Sequence, residues 1–179
     1  MTRDWVFIGT LIVGSLSGCS DGPLEVGAWT PEDTGSGARL WLEGAGDGSV
    51  ATVTVWAAEL GPVFGYSLHV TYDANLFALD PNVVPRAEAS VLEAGQPADA
   101  IHLYALRSDH VGLAGTRTSP ALDEVAIDAP TLLYSLPLQA TRGGHPPFGL
   151  DRVSVRRRDG SYLPVRATGG AFAVSGGES

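Results

Sequence analysis

The sequence predicts an all-β chain folded as an antiparallel β-sandwich of jelly-roll type, with about eight or nine strands. Three observations carry the expectation. Apolar and polar residues alternate with a period of two in successive short runs, the pattern of a pleated, half-buried strand. The runs are rich in Val, Leu, Thr and aromatic residues, which suit such a surface. They are divided by many of the 23 glycines and 12 prolines in the 179 residues, which favours turns and short elements over helices. Hydrophobic residues make up 44% and charged residues 17%, a globular composition with room for one core.

The chain opens with "MTRDW" and an uncharged apolar run, "VFIGTLIVGSL". The run is too short to span a bilayer as a mature helix and has the length of a signal-peptide core. It leads into Leu16-Ser17-Gly18-Cys19, which resembles a bacterial lipobox, where small residues precede a diacylated cysteine. Cys19 is the sole cysteine, so it forms no intramolecular disulfide. Residues 1–18 are therefore expected to be a lipoprotein signal peptide. The mature chain would begin at acylated Cys19, whose several acyl chains (palmitate among them) give stable anchoring where one would not. Ser20 differs from the Asp of the enteric inner-membrane retention signal, which implies the outer membrane or surface of a bacterial envelope. Residues 19–37, "CSDGPLEVGAWTPEDTGSG", lack periodicity and read as a flexible tether with a reach on the order of 25 Å. Trp29 within it either docks onto the domain or stands exposed.

The domain is expected over 38–175, with a short tail at 176–179. "ARLWLE" sets Leu40 and Leu42 opposite Trp41, and "SVATVTVWAAEL" sets Val53, Val55 and Ala57 opposite Thr52, Thr54 and Trp56. "EGAGDGS" between them is a glycine-rich turn. "VFGYSLHVTYDANLFALD", residues 63–80, alternates most cleanly: Phe64, Tyr66, Leu68, Val70 and Tyr72 form a core row, and Gly65, Ser67, His69 and Thr71 a polar row. The run breaks at Asp73 and Asn75, which can bond nearby backbone amides. "IHLYALRSD" offers Ile101, Leu103 and Ala105 against His102, Tyr104 and Leu106. "TLLYSLPLQA" places Leu132, Tyr134, Leu136 and Leu138 on one face, and Pro137 marks an edge or a bulge. "DRVSVRRRDGSYLPV" reads as two strands about an Asp159-Gly160 turn, and "GGAFAV" as the last strand. Residues 85–100 and 115–130 show no sustained alternation, and "RAEASVLEAG" is compatible with one or two helical turns.

This order of motifs resembles the cohesin family, β-sandwich modules similar in superfold to carbohydrate-binding modules, which receive dockerins in surface assemblies. The likeness is carried by "VFGYSLHVTYDANLFALD", "IHLYALRSD", "LLYSLPLQA" and "DGSYLPVRATGGAFAV". It implies a non-catalytic, protein-binding module with a dockerin-like partner. Two departures stand out. Gly65 and Ser67 occupy outward positions where the family carries Asn or Asp against the partner, and Ala74 replaces the usual proline.

The chemistry of the residues narrows the alternatives. The net charge is −9, with eleven Arg and no Lys, which disfavours nucleic acid as a partner. Arg156, Arg157 and Arg158, beside Arg152, read as solvated strand charge offset by Asp151 and Asp159. His69, His102, His110 and His145 form no close metal-binding pair, although His69 and His102 would share an orientation on neighbouring strands. Ser108, Asp109 and His110 are adjacent and point apart, and no nucleophile elbow is present. The reading is thus a non-enzyme with no cofactor and no metal. Its partner-binding face is expected at Ser67, His69 and Thr71, joined by His102 and Tyr104. A rival reading is a carbohydrate-binding module that stacks polysaccharide on Trp41 and Trp56. A third is a purely structural envelope lipoprotein.

Overall fold

The computed structural model describes residues 22–32, 35–79, 85–87 and 91–176. The expected signal peptide and Cys19 lie outside them. The strands in chain order begin with β1 (Glu25–Pro31), β2 (Arg39–Asp47), β3 (Val50–Ala58), β4 (Gly61–Val63) and β5 (Gly65–Thr71). There follow β6 (Phe77–Ala78), β7 (Arg86–Ala87), β8 (Ala100–Leu106), β9 (His110–Arg117) and β10 (Val125–Ile127). The last are β11 (Thr131–Ala140), β12 (Pro147–Arg156), β13 (Tyr162–Leu163), β14 (Arg166–Thr168) and β15 (Gly170–Ser175).

One sheet runs β1-β15-β12-β5-β9-β8, with β13 added to β12. The other runs β14-β2-β3-β11-β6, with β7 added to β11, and β4 pairs separately with β10. All pairings are antiparallel except β14 with β2. The alternating apolar rows face each other across the gap between sheets: Leu40, Leu42, Val53 and Val55 on one side, Leu68, Val70, Leu113 and Val155 on the other, all buried. The fold is thus an antiparallel β-sandwich. Nine strands have six or more residues, and the other six are two- or three-residue pairings too short to show a period.

Several local expectations change. Residues 25–31, read as part of a flexible tether, form β1, paired to β15 from Glu25↔Ser175 to Pro31↔Gly170. Trp29 is one reason. Its indole packs on Phe172 at 4.9 Å and Phe148 at 6.0 Å, over Gly44 and Gly170, where a Cβ would come within 2.5 and 2.3 Å of the ring. With Val26, which enters the buried core, that ring fixes a segment that has no periodicity.

Phe64 is only half-buried, because the regular strand begins one residue later; Tyr66, Leu68, Val70 and Tyr72 are buried as expected. In β11 the register shifts between Leu132 and Tyr134, so Leu133 rather than Leu132 enters the core beside Tyr134, Leu136 and Leu138. Pro137 lies opposite Thr52 of β3. Ala140 N–H bonds the Ser49 carbonyl, so by alternation the even residues here bond β3 and Pro137 turns its missing N–H the other way. That side is the gap between β6 (partner of Gln139 and Ala140) and β7 (partner of Tyr134 and Ser135). Pro137 thus sits at a local edge within a strand that is otherwise paired on both sides. In the segment read as compatible with helical turns, Arg86–Ala87 is β7, residues 91–95 are turns and Pro97–Asp99 is one 3-10 turn.

Candidate functional site

The polar row of β5 looks away from the core onto an open face. β5 pairs with β9 through Ser67↔Ala114 and His69↔Gly112, and β9 with β8 through Ala114↔Leu103 and Gly112↔Ala105. Residues directly opposite share a face, so Ser67, His69, Gly112, Ala114, Leu103 and Ala105 form one surface. Gly112 and Ala114, both small, lie on its central strand. They form the floor of a shallow trough between the rim of Leu103 and Ala105 and the rim of Ser67 and His69, with Arg152 at one end. Leu103 is 59% exposed and Ile101 46%. An apolar row this exposed departs from the polar outer face usual for a sandwich strand.

Strand β8 is therefore turned over relative to the sequence expectation. Ile101, Leu103 and Ala105 point outward, and His102, Tyr104 and Leu106 share the register of Gly115, Leu113 and Val111; His102 and Leu106 are part-buried there, while Tyr104, at the sheet edge, stays exposed. His102 does not join Ser67, His69 and Thr71, whereas Tyr104 still lines the trough beside Ser67 and His69. The His102 ring lies against Tyr134 at 6.3 Å, and its Nε2 is 4.0 Å from Glu93 Oε1. His69 and His102 are consequently on opposite faces and form no shared site. Among the described residues no group of three or more His, Cys, Asp or Glu side chains is placed to hold a metal. Thr71 is on the expected face, with its hydroxyl donating to the Gly149 carbonyl at 3.3 Å.

The floor is supported from below. The Tyr134 hydroxyl donates to the Ala114 carbonyl at 2.7 Å, and Tyr134 meets Tyr66 edge-to-face at 6.2 Å. Burial pushes the Tyr134 phenol up to about 12, and that of Tyr66 further still. Gly115 makes room for the Tyr66 ring, since a Cβ there would lie 2.8 Å from it. Arg117 at the end of β9 is buried, donates to the Leu92 carbonyl and sits 3.5 Å from Asp99.

On the β5 rim the His69 and His110 rings stack at 4.5 Å and 15°, and His110 Nδ1 lies 2.8 Å from Asp109 Oδ1. Partial desolvation first, then His110 and Arg152, lower the His69 pKa below its ordinary 6.5, while Asp151 and Asp109 act in the opposite sense. The folded state therefore holds this proton less firmly than the unfolded chain. The His69 contribution is complete above pH 6.5 and is lost as pH falls below it. NMR titration should find a His69 midpoint below the ordinary 6.5, and His110→Ala should raise it. An unmoved midpoint would show that the stacked ring has no influence.

The two tryptophans of the rival site lie on the other sheet, opposite each other at Trp41↔Trp56. They stack on one another at 6.2 Å and 17°. Trp41 is only 8% exposed, with Arg39 over its ring at 5.3 Å and Glu43 accepting its Nε1–H at 3.0 Å. It is not the flat exposed platform expected. The basic cluster meets the acids expected and two more: Arg152 lies 3.9 Å from Asp151, and Asp159, which accepts from Ser161 N–H, is held below the usual carboxylate range by hydrogen bonding to Ser161 first and by Arg157 as well. Arg158 N–H donates to Glu124 Oε1 at 2.7 Å and its guanidinium lies 3.5 Å from Asp123.

The sequence matches no family model and no curated protein. Solved structures do resemble the fold. The second type II cohesin module from the adaptor ScaA scaffoldin of Acetivibrio cellulolyticus is 11% identical, with a TM-score of 0.58 over 75% of this chain and 90% of that one. The non-cellulosomal cohesin from the archaeon Archaeoglobus fulgidus is 12% identical, with a TM-score of 0.54 over 75% and 89%. The type I cohesin–dockerin complex Coh-OlpA–Doc918 from Clostridium thermocellum matches at 12% identity and a TM-score of 0.52, over 83% and 97%. The chain has the fold of a cohesin module.

Proposed function

We propose that this chain is a non-catalytic protein-binding module that receives a dockerin-like domain on the β8-β9-β5 face and is tethered to a bacterial envelope through acylated Cys19. The single observation that carries the binding reading is the small-residue trough over Gly112 and Ala114 with its exposed Leu103 rim. A ridge of side chains from a helix fits such a trough, and the apolar rim supplies contact area that water leaves readily. The fold supports the partner class, since a cohesin from Clostridium thermocellum with this fold was solved with its dockerin. Gly65 and Ser67 stand where the resemblance expects Asn or Asp, so the hydrogen-bonding groups on this rim are those of Ser67 and the neighbouring His69 and the partner is expected to differ in its polar contacts. The buried Trp41 leaves Trp56 alone for stacking and weakens the sugar reading.

Calorimetric titration against dockerin modules encoded in the same genome tests the proposal. Saturable one-to-one binding supports it. Binding to insoluble polysaccharide with no response to any dockerin would replace it with the sugar reading. The anchor has its own test: mass spectrometry of the mature protein should find an acylated Cys19 at the N-terminus, and Cys19→Ser should move the protein from the membrane fraction to the soluble one. A mature chain that begins elsewhere sinks the tether.

A further inference from the structure

Strand β8 is an outermost strand, paired only with β9 among the described residues. Two flanking bonds set the phase of that ladder: Thr118 N–H to the Asp99 carbonyl at 2.9 Å, and Arg107 N–H to the His110 carbonyl at 3.0 Å. Hydrogen-bonded pairs alternate along an antiparallel ladder. Asp99, Ile101, Leu103, Ala105 and Arg107 therefore bond toward β9, and Ala100, His102, Tyr104 and Leu106 turn their N–H and C=O groups to the open side. Of these, the Leu106 carbonyl accepts a bond from Arg107 Nη1 at 2.9 Å.

Natural edge strands are guarded by charge, proline or bulges against pairing with another chain. The segment Ala100–Leu106, "AIHLYAL", has no charged residue and no proline, and its register is unbroken. Ile101, Leu103 and Tyr104 are all exposed along it.

We propose that this edge is the seam of a symmetric dimer, in which a second copy of the chain adds its own β8 antiparallel to the first, with the two-fold axis at Leu103. Bonding groups of both copies must face each other across the seam, which leaves axes at His102, Leu103 or Tyr104 near the centre of the strand. Charge selects among them. With the axis at Leu103, Asp99 stands opposite its copy's Arg107 at both ends of the seam. An axis at Tyr104 instead opposes Asp99 to Asp109, which is repulsive, and an axis at His102 gives Asp99 only Ala105. Size agrees with the same choice: bulky Ile101 faces small Ala105, and Leu103 meets Leu103 in a close, non-hydrogen-bonded pair. Asp99 already lies 3.5 Å from Arg117, and its carboxylate has acceptor capacity for a second cation. The pairing would join two sheets into one and set two copies of the docking face side by side, although it stands independently of what that face binds.

Cysteine cross-linking of the full-length chain carrying Cys19→Ser, which leaves no native thiol, reads the register. A close antiparallel pair brings Cα atoms to about 4.5 Å, within disulfide range. Leu103→Cys should therefore form a disulfide dimer roughly tenfold faster than the exposed-face control Ser67→Cys. Adding Arg107→Asp should slow the reaction, and adding Asp99→Arg to that variant should restore it. Leu103→Cys reacting no faster than Ser67→Cys overturns the dimer and leaves the edge to another occupant. Failure of the charge exchange to restore the rate overturns this register. Leu103 is exposed, so the substitution leaves the fold intact, and circular dichroism of each variant checks that.

Discussion

Replacing Phe148 with alanine should cost more stability than any other single truncation in the domain, about 3–5 kcal/mol. Phe148 is fully buried and lies where the two sheets and the N-terminal strand meet. Its ring contacts Phe77 of the second sheet at 5.2 Å, Phe172 of β15 at 5.7 Å, Trp29 of β1 at 6.0 Å and Tyr72 beyond β5 at 6.4 Å. Truncation removes the shared wall of four rings, and backbone held in ladders on both sides cannot close the gap. The cost is therefore a cavity as well as lost transfer energy. At a few degrees per kcal/mol for a domain of this size, the melting temperature should fall by roughly 10 °C. Thermal unfolding followed by circular dichroism measures it. A fall of only a degree or two would mean that the aromatic cluster is not the junction described.

Replacing Ala114 with arginine should abolish docking, with a loss of at least about 100-fold in affinity, equivalent to 2.7 kcal/mol or more. Ala114 lies in the floor of the trough between Leu103 and Ser67. A long charged side chain there fills the space a partner ridge would enter, and a docked partner would have to desolvate it. The residue is partly exposed on a sheet face, so the melting temperature should stay nearly unchanged. Calorimetric titration of the variant against the dockerin module that binds the parent chain reads the effect. Unchanged affinity would move the binding site off this face, while lost binding with a collapsed melting curve would point to misfolding, which is why both measurements belong together.

The sandwich was legible in the sequence because large β-branched and aliphatic residues alternate without interruption where strands are half-buried. Tyr66, Leu68 and Val70, or Val53 and Val55, are unambiguous because burial and hydrophobicity coincide there. The candidate face was legible only on β5. Strand β9 carries its floor, yet "HVGLAGTR" pairs two large apolar residues with Gly112, Ala114 and Gly115, and residues that small leave the pattern too faint to read. On β8 the period was legible and the side was not. Pattern reading sends the more apolar row inward, whereas here His102 lies beneath the sheet and Ile101 and Leu103 above it. An outward apolar row on an exposed sheet face inverts the cue that identifies a core. β1 was illegible for a different reason: Val26 and Trp29 hold it through two contacts three residues apart, too few to make a period that a window average detects. Trp41 misled in the opposite sense, since its place opposite Leu40 and Leu42 says nothing of the Trp56 and Arg39 side chains that cover it.

The pairing of β1 with β15 has a mechanical consequence. Glu25 sits opposite Ser175, and a Cβ added at Gly176 would touch the Pro23 carbonyl, so the chain enters and leaves the sandwich at neighbouring points. Tension applied between those two points would load the β1–β15 ladder one hydrogen-bonded pair at a time, like a zipper drawn from its open end, rather than across all its bonds together. The first event under such a load would be the peeling of β1 and the withdrawal of Trp29 from between Phe148 and Phe172. A pull applied from the entry point against the β8-β9-β5 face would instead cross the whole width of the sheet. The module would thus be a weak link in a chain pulled between those two points.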